Sequence, residues 1–205
     1  PLVELLKKML KESQNLYADM IFRSLDPREK GKSIAGSRAV LGELLESARV
    51  PKYAYRIVDG SGLSRYNLIS PQALTKLSLY IARKNYYDKL TKCLPISGTD
   101  GTLKNRLKES KGKGRIFAKT GSMSTMRNIS GYVTSQDQQL LAVSIFVNGY
   151  VGSSYDMIRL QDQILEILAS GNIKREIQYQ QKVTQKVKQR LAQRWFRHFL
   201  TSDKQ

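Results

Sequence analysis

Arg115-Ile116-Phe117-Ala118-Lys119-Thr120-Gly121-Ser122 is the stretch that decides the fold. It reads as a short buried strand over 116–118 that delivers Lys119, Thr120 and Gly121 onto the edge of a site. Gly112 and Gly114 precede it as a flexible approach, which marks the strand entry. Behind it, 128–134 and 140–148 are strand-like and complete an antiparallel meander. A Lys-Thr-Gly triplet has little meaning alone in a chain this basic, so its value depends on what surrounds it.

Upstream, apolar residues at Leu2, Leu5, Leu6, Met9 and Leu10 have the spacing of a helix buried on one face. Ser13-Gln14-Asn15 follows, and Leu16, Met20 and Ile21 begin a second helix. Serine and asparagine favour caps and turns, so this triplet is expected at a helix-to-helix junction with its polar groups outward. A charged loop over 26–32 leads to a helix over 33–49, then a short strand over 53–58. Asp59-Gly60-Ser61-Gly62-Leu63-Ser64-Arg65-Tyr66-Asn67 is a loop of small hydrogen-bonding residues, expected to brace the site or the sheet. Ser70-Pro71 opens another helix, with serine as cap and proline at the first helical position. A second polar loop, Gly98-Thr99-Asp100-Gly101-Thr102-Leu103, lies before the Lys119 strand. After the meander, Ser153 and Ser154 cap a helix whose core face is Met157, Leu160, Ile164, Leu165 and Leu168, and Gly171-Asn172 stops it.

Composition sets outer limits. The 205 residues suffice for one sizeable domain with an extension, and the net charge of +18 predicts attraction to polyanions. The charge concentrates beyond Gly171, where Val183, Val187, Leu191, Trp195 and Phe199 mark a basic amphipathic helix. We expect that 171–205 segment to contact an anionic membrane surface or wall polymer. Cys93 is the only cysteine, so an intrachain disulfide and a cysteine-based zinc site are excluded; it reads as a small core residue. With His198 the only histidine, Ser-His-Asp chemistry is disfavoured. No cofactor and no metal site is expected. No apolar run is long enough to cross a membrane.

Four ordered segments carry a resemblance. Met9 to Asp19 with its Ser-x-Asn, the Asp-Gly-Ser-Gly-Leu-Ser loop, the Gly-Thr-Asp-Gly-Thr-Leu loop and the Lys-Thr-Gly strand together resemble the class C low-molecular-mass penicillin-binding proteins. These are D-alanyl-D-alanine carboxypeptidases with endopeptidase activity, in the serine β-lactamase/D,D-peptidase superfamily. The resemblance covers roughly residues 2–168. It implies an α/β fold, an antiparallel sheet with packed helices over 1–170; the basic helix over 171–205 is an extension at which the chain departs from the family and which the resemblance does not explain. It implies acyl transfer to serine and then hydrolysis of peptidoglycan stem peptides, with β-lactams as ligands and a periplasmic or cell-envelope location.

By the same resemblance, Ser13 relays a proton toward the departing D-alanine nitrogen, Asn15 holds the substrate's backbone amide, and Lys119 polarises Ser13 and attracts the terminal carboxylate. Thr120 and Ser122 bind that carboxylate, and Gly121 lets substrate lie as an added strand, with the Ser122 N–H in the oxyanion hole. The family's Ser-x-x-Lys nucleophile motif has one formal match, Ser110-Lys111-Gly112-Lys113, in a Lys/Gly loop rather than at a helix start. The expectation is that Ser110 is not the nucleophile and that the attacking serine belongs upstream of Pro1, leaving the isolated chain inactive. Two rivals remain open at this stage: a non-enzymatic polyanion-binding module, although nucleic acid is not the expected partner, and a degenerate penicillin-binding scaffold.

Overall fold

In the computed structural model, residues 1–28, 31–171 and 185 are described, and the basic helix expected beyond Gly171 lies outside them. The N-terminal half is helical: α1 (Leu2–Glu12), α2 (Asn15–Ser24) and α3 (Ile34–Ser47). Ser33 starts α3 by accepting from the Gly36 N–H at 3.0 Å. Buried Asp26 accepts from Arg28 and from the Ser33 N–H, fixing the turn before that helix.

The strand expected over 53–58 is reduced to β1 (Tyr55–Arg56), preceded by a 3-10 turn, Lys52–Ala54. It pairs antiparallel with β2 (Leu68–Ile69), a strand with no apolar alternation long enough to be read from sequence. Then come α4 (Pro71–Ile81), capped by Ser70 with Pro71 in its first turn, and the short α5 (Tyr87–Thr91). Leu45, Ala48, Val50 and Ala73 form the core between α3, α4 and the small sheet.

The second half is the meander, β3 (Ile116–Met123), β4 (Met126–Thr134) and β5 (Leu140–Asn148), in the order β3-β4-β5 and antiparallel throughout. α6 (Ser154–Ala169) packs on one face. There Ile116, Ala118, Ile129, Val133 and Val143 meet Leu103, Leu165 and Ala169. Each fully buried aliphatic chain in this layer contributes roughly 1.5–3 kcal/mol. Gly131 is required at its centre, because a Cβ there would lie 2.2 Å from the Phe117 carbonyl oxygen.

Strand alternation puts Lys119 on the opposite face, level with Ser130 and Ser144 in the pairing register. α4 covers that face: Thr75 donates to Ser144 at 3.2 Å and Tyr132 donates to the Ser78 carbonyl at 2.9 Å. The sheet is therefore sandwiched between α6 and α4, with a polar row running under Lys119.

One feature of β3 differs from expectation. The strand does not stop at Ala118 but continues to Met123, so Lys119-Thr120-Gly121 lies inside it. The reason is hydrogen bonding with β4, which continues residue by residue to the Met123–Met126 pair and supports backbone that has no apolar side chains of its own.

Candidate active site

The site begins where α1 ends. Ser13 follows the helix in the left-handed conformation, φ 58° and ψ 47°, with its N–H and that of Gln14 closing onto the Met9 carbonyl. This is a helix stop of the kind glycine usually provides, and serine holds it at a cost of about 1–2 kcal/mol. The reversal aims Ser13 inward, against the expectation of outward polar groups. Lys119 Nζ donates to Ser13 Oγ at 2.7 Å across 106 residues of sequence, and also to the Thr120 carbonyl at 2.7 Å. Burial pulls the Lys119 ammonium below the ordinary lysine range. No carboxylate of the described residues lies within ion-pair distance of it.

Two residues on, Asn15 opens α2 with its side chain exposed, and it makes no hydrogen bond to the described residues. The middle of α2, at Ala18, Asp19 and Phe22, is held from behind by the 59–67 loop. Gly60 presses so closely on the helix that a Cβ would lie 2.3 Å from that of Phe22, and its N–H donates to Asp19 at 3.3 Å. Asp59 organises the loop, accepting from the N–H groups of Gly62 at 2.7 Å and Ser64 at 3.0 Å, and from Ser61 and Asn67 side chains. Ser61 and Ser64 thus serve loop structure, the bracing expected of them.

The outer edge of β3 divides at Ala118. Before it, Ser97 N–H donates to the Ile116 carbonyl at 3.0 Å and Ala118 N–H to the Pro95 carbonyl at 3.1 Å, so segment 95–97 covers the edge. Beyond it, no backbone group of the described residues pairs with that side. Because the Ala118 N–H points outward, alternation turns the peptide groups of Thr120 and Ser122 outward too. Gly121 and Ser122 are exposed. The result is an open strand edge bearing a buried-stem ammonium, two hydroxyls and an outward N–H, with Ser13 beside the ammonium. Such an edge can take an extended peptide as an added strand and hold an anionic end.

The structure therefore gathers Ser13, Lys119 and Thr120–Ser122 at one place. Ser110 has no such setting. Its hydroxyl donates to the Leu107 carbonyl at 3.3 Å and accepts from Gly112 N–H at 3.0 Å inside a bend. Three residues that no motif role had assigned also belong to the surroundings. Lys11, the third residue from the α1 stop, donates to Asp100 at 2.5 Å and to the Leu94 carbonyl at 2.9 Å, and Thr102 lies 2.9 Å from Thr120 hydroxyl to hydroxyl. Their loop is legible in sequence, but which of 35 basic residues meets Asp100 is not.

Residues 1–170 match the model of the D-Ala-D-Ala carboxypeptidase 3 (S13) family. The chain belongs to this family. A D-alanyl-D-alanine carboxypeptidase DacB of Haemophilus influenzae is 34% identical over 157 residues, 73% of this chain and 32% of that protein. A D-alanyl-D-alanine carboxypeptidase of an Actinomadura species is 32% identical over 174 residues, 82% of this chain and 32% of its relative. The S13 chain thus spans about a third of the length of the curated relatives it matches. Among solved structures, penicillin binding protein 4 of H. influenzae superposes with a TM-score of 0.73 and 30% identity, over 82% of this chain and 40% of that one. The TLA-3 extended-spectrum β-lactamase, at 19% identity and a TM-score of 0.62, covers 82% of this chain and 64% of its own, and shares the fold alone. This agrees with the α/β architecture expected from sequence, helices packed on an antiparallel sheet.

Proposed function

We propose that this chain forms the substrate-holding and proton-relay wall of a serine-type D-alanyl-D-alanine carboxypeptidase/endopeptidase acting on peptidoglycan stem peptides in the cell envelope. The observation that carries the reading is the 2.7 Å contact between Lys119 Nζ and Ser13 Oγ beside an unpaired strand edge.

The chemistry follows from donor and acceptor directions. Because the ammonium donates to Ser13 Oγ, the serine's own proton is free to go to another acceptor. In the reading proposed here that acceptor is the departing D-alanine nitrogen. The peptide lies antiparallel to the open half of β3, with its backbone amide on Asn15. Its terminal carboxylate faces the Thr120 and Ser122 hydroxyls and the Lys119 charge, which selects for a free C-terminus. The Ser122 N–H, turned outward, meets the oxyanion that develops when the carbonyl is attacked. The attacking serine and its lysine are contributed from outside residues 1–205, since Ser110 is engaged in its own turn. β-Lactams would enter by the same route, their carboxylate replacing that of the peptide.

The test uses the chain isotopically labelled and titrated, by NMR, with a peptide ending in D-Ala-D-Ala and with its C-terminal amide. Shifts are expected at Asn15 and Thr120–Ser122, with the acid bound roughly tenfold more tightly than the amide, the difference between charge-assisted and neutral hydrogen bonding. Equal affinities, or shifts confined elsewhere, would refute the proposal. A fluorescent penicillin should leave the chain covalently unlabelled; labelling abolished by Ser110→Ala would overturn the placement of the nucleophile.

A further inference from the structure

The loop from Lys104 to Arg115, which leads into β3, carries six cationic side chains against one acid, Glu109. Two of the six are engaged: Arg106 pairs with Asp162 of α6 at 2.7 Å, and Arg115 donates to the Ser135 carbonyl at 3.1 Å. Lys104, Lys108, Lys111 and Lys113 are exposed, and no carboxylate of the described residues lies within ion-pair distance of them.

This loop has a fixed shape. Leu103 is buried beneath it in the core of the β3-β4-β5 sheet, and Leu107 packs against the same core. Leu107 keeps a left-handed backbone, φ 58°, which a leucine adopts only where its surroundings hold it. Ser97 Oγ donates to the Gly112 carbonyl at 2.6 Å, and Gly114 N–H donates to the Ser97 carbonyl at 2.8 Å. Gly98 separates the two arms: a Cβ there would lie 3.1 Å from Lys108 Cα and 3.0 Å from Lys113 Cγ. The leucines thus anchor the loop inward, and Lys108 and Lys113 stand side by side on its outer surface.

We propose that the 104–113 loop is a binding platform for a flexible linear polyanion that has neither bases nor acyl chains. Like charges held together on a rigid loop repel one another, and an anionic partner relieves that repulsion. Four lysines spread over ten residues match a chain of repeated anions better than one small ion. The loop has no aromatic residue on which a base could stack, which argues against nucleic acid. It has no exposed large apolar side chain to enter a lipid surface, which argues against a membrane. The inference is independent of the reading of the β3 edge as a carboxylate site.

The experiment measures binding of inorganic polyphosphate to the full chain over a range of salt concentrations. One variant combines Lys104→Gln, Lys108→Gln, Lys111→Gln and Lys113→Gln. A control of the same net charge combines Lys7→Gln, Lys52→Gln, Lys89→Gln and Lys92→Gln, four exposed lysines from other parts of the surface. Each lysine that neutralises a phosphate adds roughly 0.7 to the slope of log affinity against log salt, so the loop variant should lose about three from that slope and the control less than about one. Equal losses in the two variants would show that net charge alone governs binding and would overturn the proposal. The isotopically labelled wild type supplies a reading that depends on no variant: polyphosphate should shift the amides of 104–113, and shifts that leave them untouched also overturn it. Loop shifts with phosphatidylglycerol vesicles but none with polyphosphate, or tighter binding of oligothymidylate of the same charge, would assign the loop to a membrane or to nucleic acid instead.

Discussion

Gly101→Ala is the sharpest perturbation of this architecture. Two separable costs apply. The residue sits at φ +56°, where a side chain costs about 1–2 kcal/mol relative to glycine. The new methyl would also stand 2.9 Å from the Lys11 carbonyl oxygen, 3.0 Å from Pro95 Cβ and 3.2 Å from Lys11 Cα. Carbon contacts settle near 3.5 Å or beyond, so the end of α1 must retreat by roughly half an ångström, and overpacking of this kind costs about 1–3 kcal/mol. Together these give a loss of roughly 3 kcal/mol, or about 6–12 °C in Tm for a chain of this size. The retreat has a local signature as well. Ser13 is carried away from Lys119, stretching a hydrogen bond of 2.7 Å toward the limit of such contacts. Urea unfolding followed by circular dichroism measures the first effect, and the NMR shifts of Ser13 and Lys119 report the second. A stability change below about 0.5 kcal/mol with those shifts unmoved would refute the reasoning that this loop fixes the α1 stop.

Two further substitutions probe the supports. Tyr132, buried under α4 and beside Tyr87 at 5.0 Å between ring centres, has its phenol pushed up to about 12 by burial, from the ordinary 10.0. The unfolded chain therefore releases this proton first, and the wild type loses stability, on the order of 3 kcal/mol in total, as pH rises from about 10 toward 12. Tyr132→Phe should be the less stable protein at pH 8, where it lacks the bond to Ser78, and the more stable one near pH 11.5; urea titrations with parallel pH dependence would count against this. Asp59→Ala removes the common acceptor of Gly62, Ser64, Ser61 and Asn67, so we expect a loss of roughly 3 kcal/mol and faster amide exchange in α2 around Asp19 and Phe22, where Gly60 packs. Unchanged exchange there would show that the loop does not brace that helix.

Much of this fold is written in local sequence. The caps Ser33, Ser70 and Ser153 begin their helices where serine precedes an apolar periodicity, and Gly171, at φ +74°, follows the end of α6. The strands of the meander follow from apolar alternation, and the ordered motifs placed the chain among penicillin-recognising proteins. These features depend on residues within a few positions of each other, where backbone propensity and side-chain period act directly. What lay beyond reach was pairing across long separations. The 53–58 strand shrank because β1 has only Leu68–Ile69 to pair with, and β3 lengthened because β4 supports it to Met123. Ser13 alone reads as a cap; its inward turn depends on a left-handed backbone and on an ammonium 106 residues away. So the sequence by itself determined most of the elements, the family and which residues are candidates for the site. Only the tertiary structure decided that Ser13 meets Lys119, that among the described residues nothing pairs with the strand edge from Thr120 onward, and that Lys11 and Asp100 hold these parts in register. Those contacts are governed by distances between elements, and a linear pattern carries no term for them.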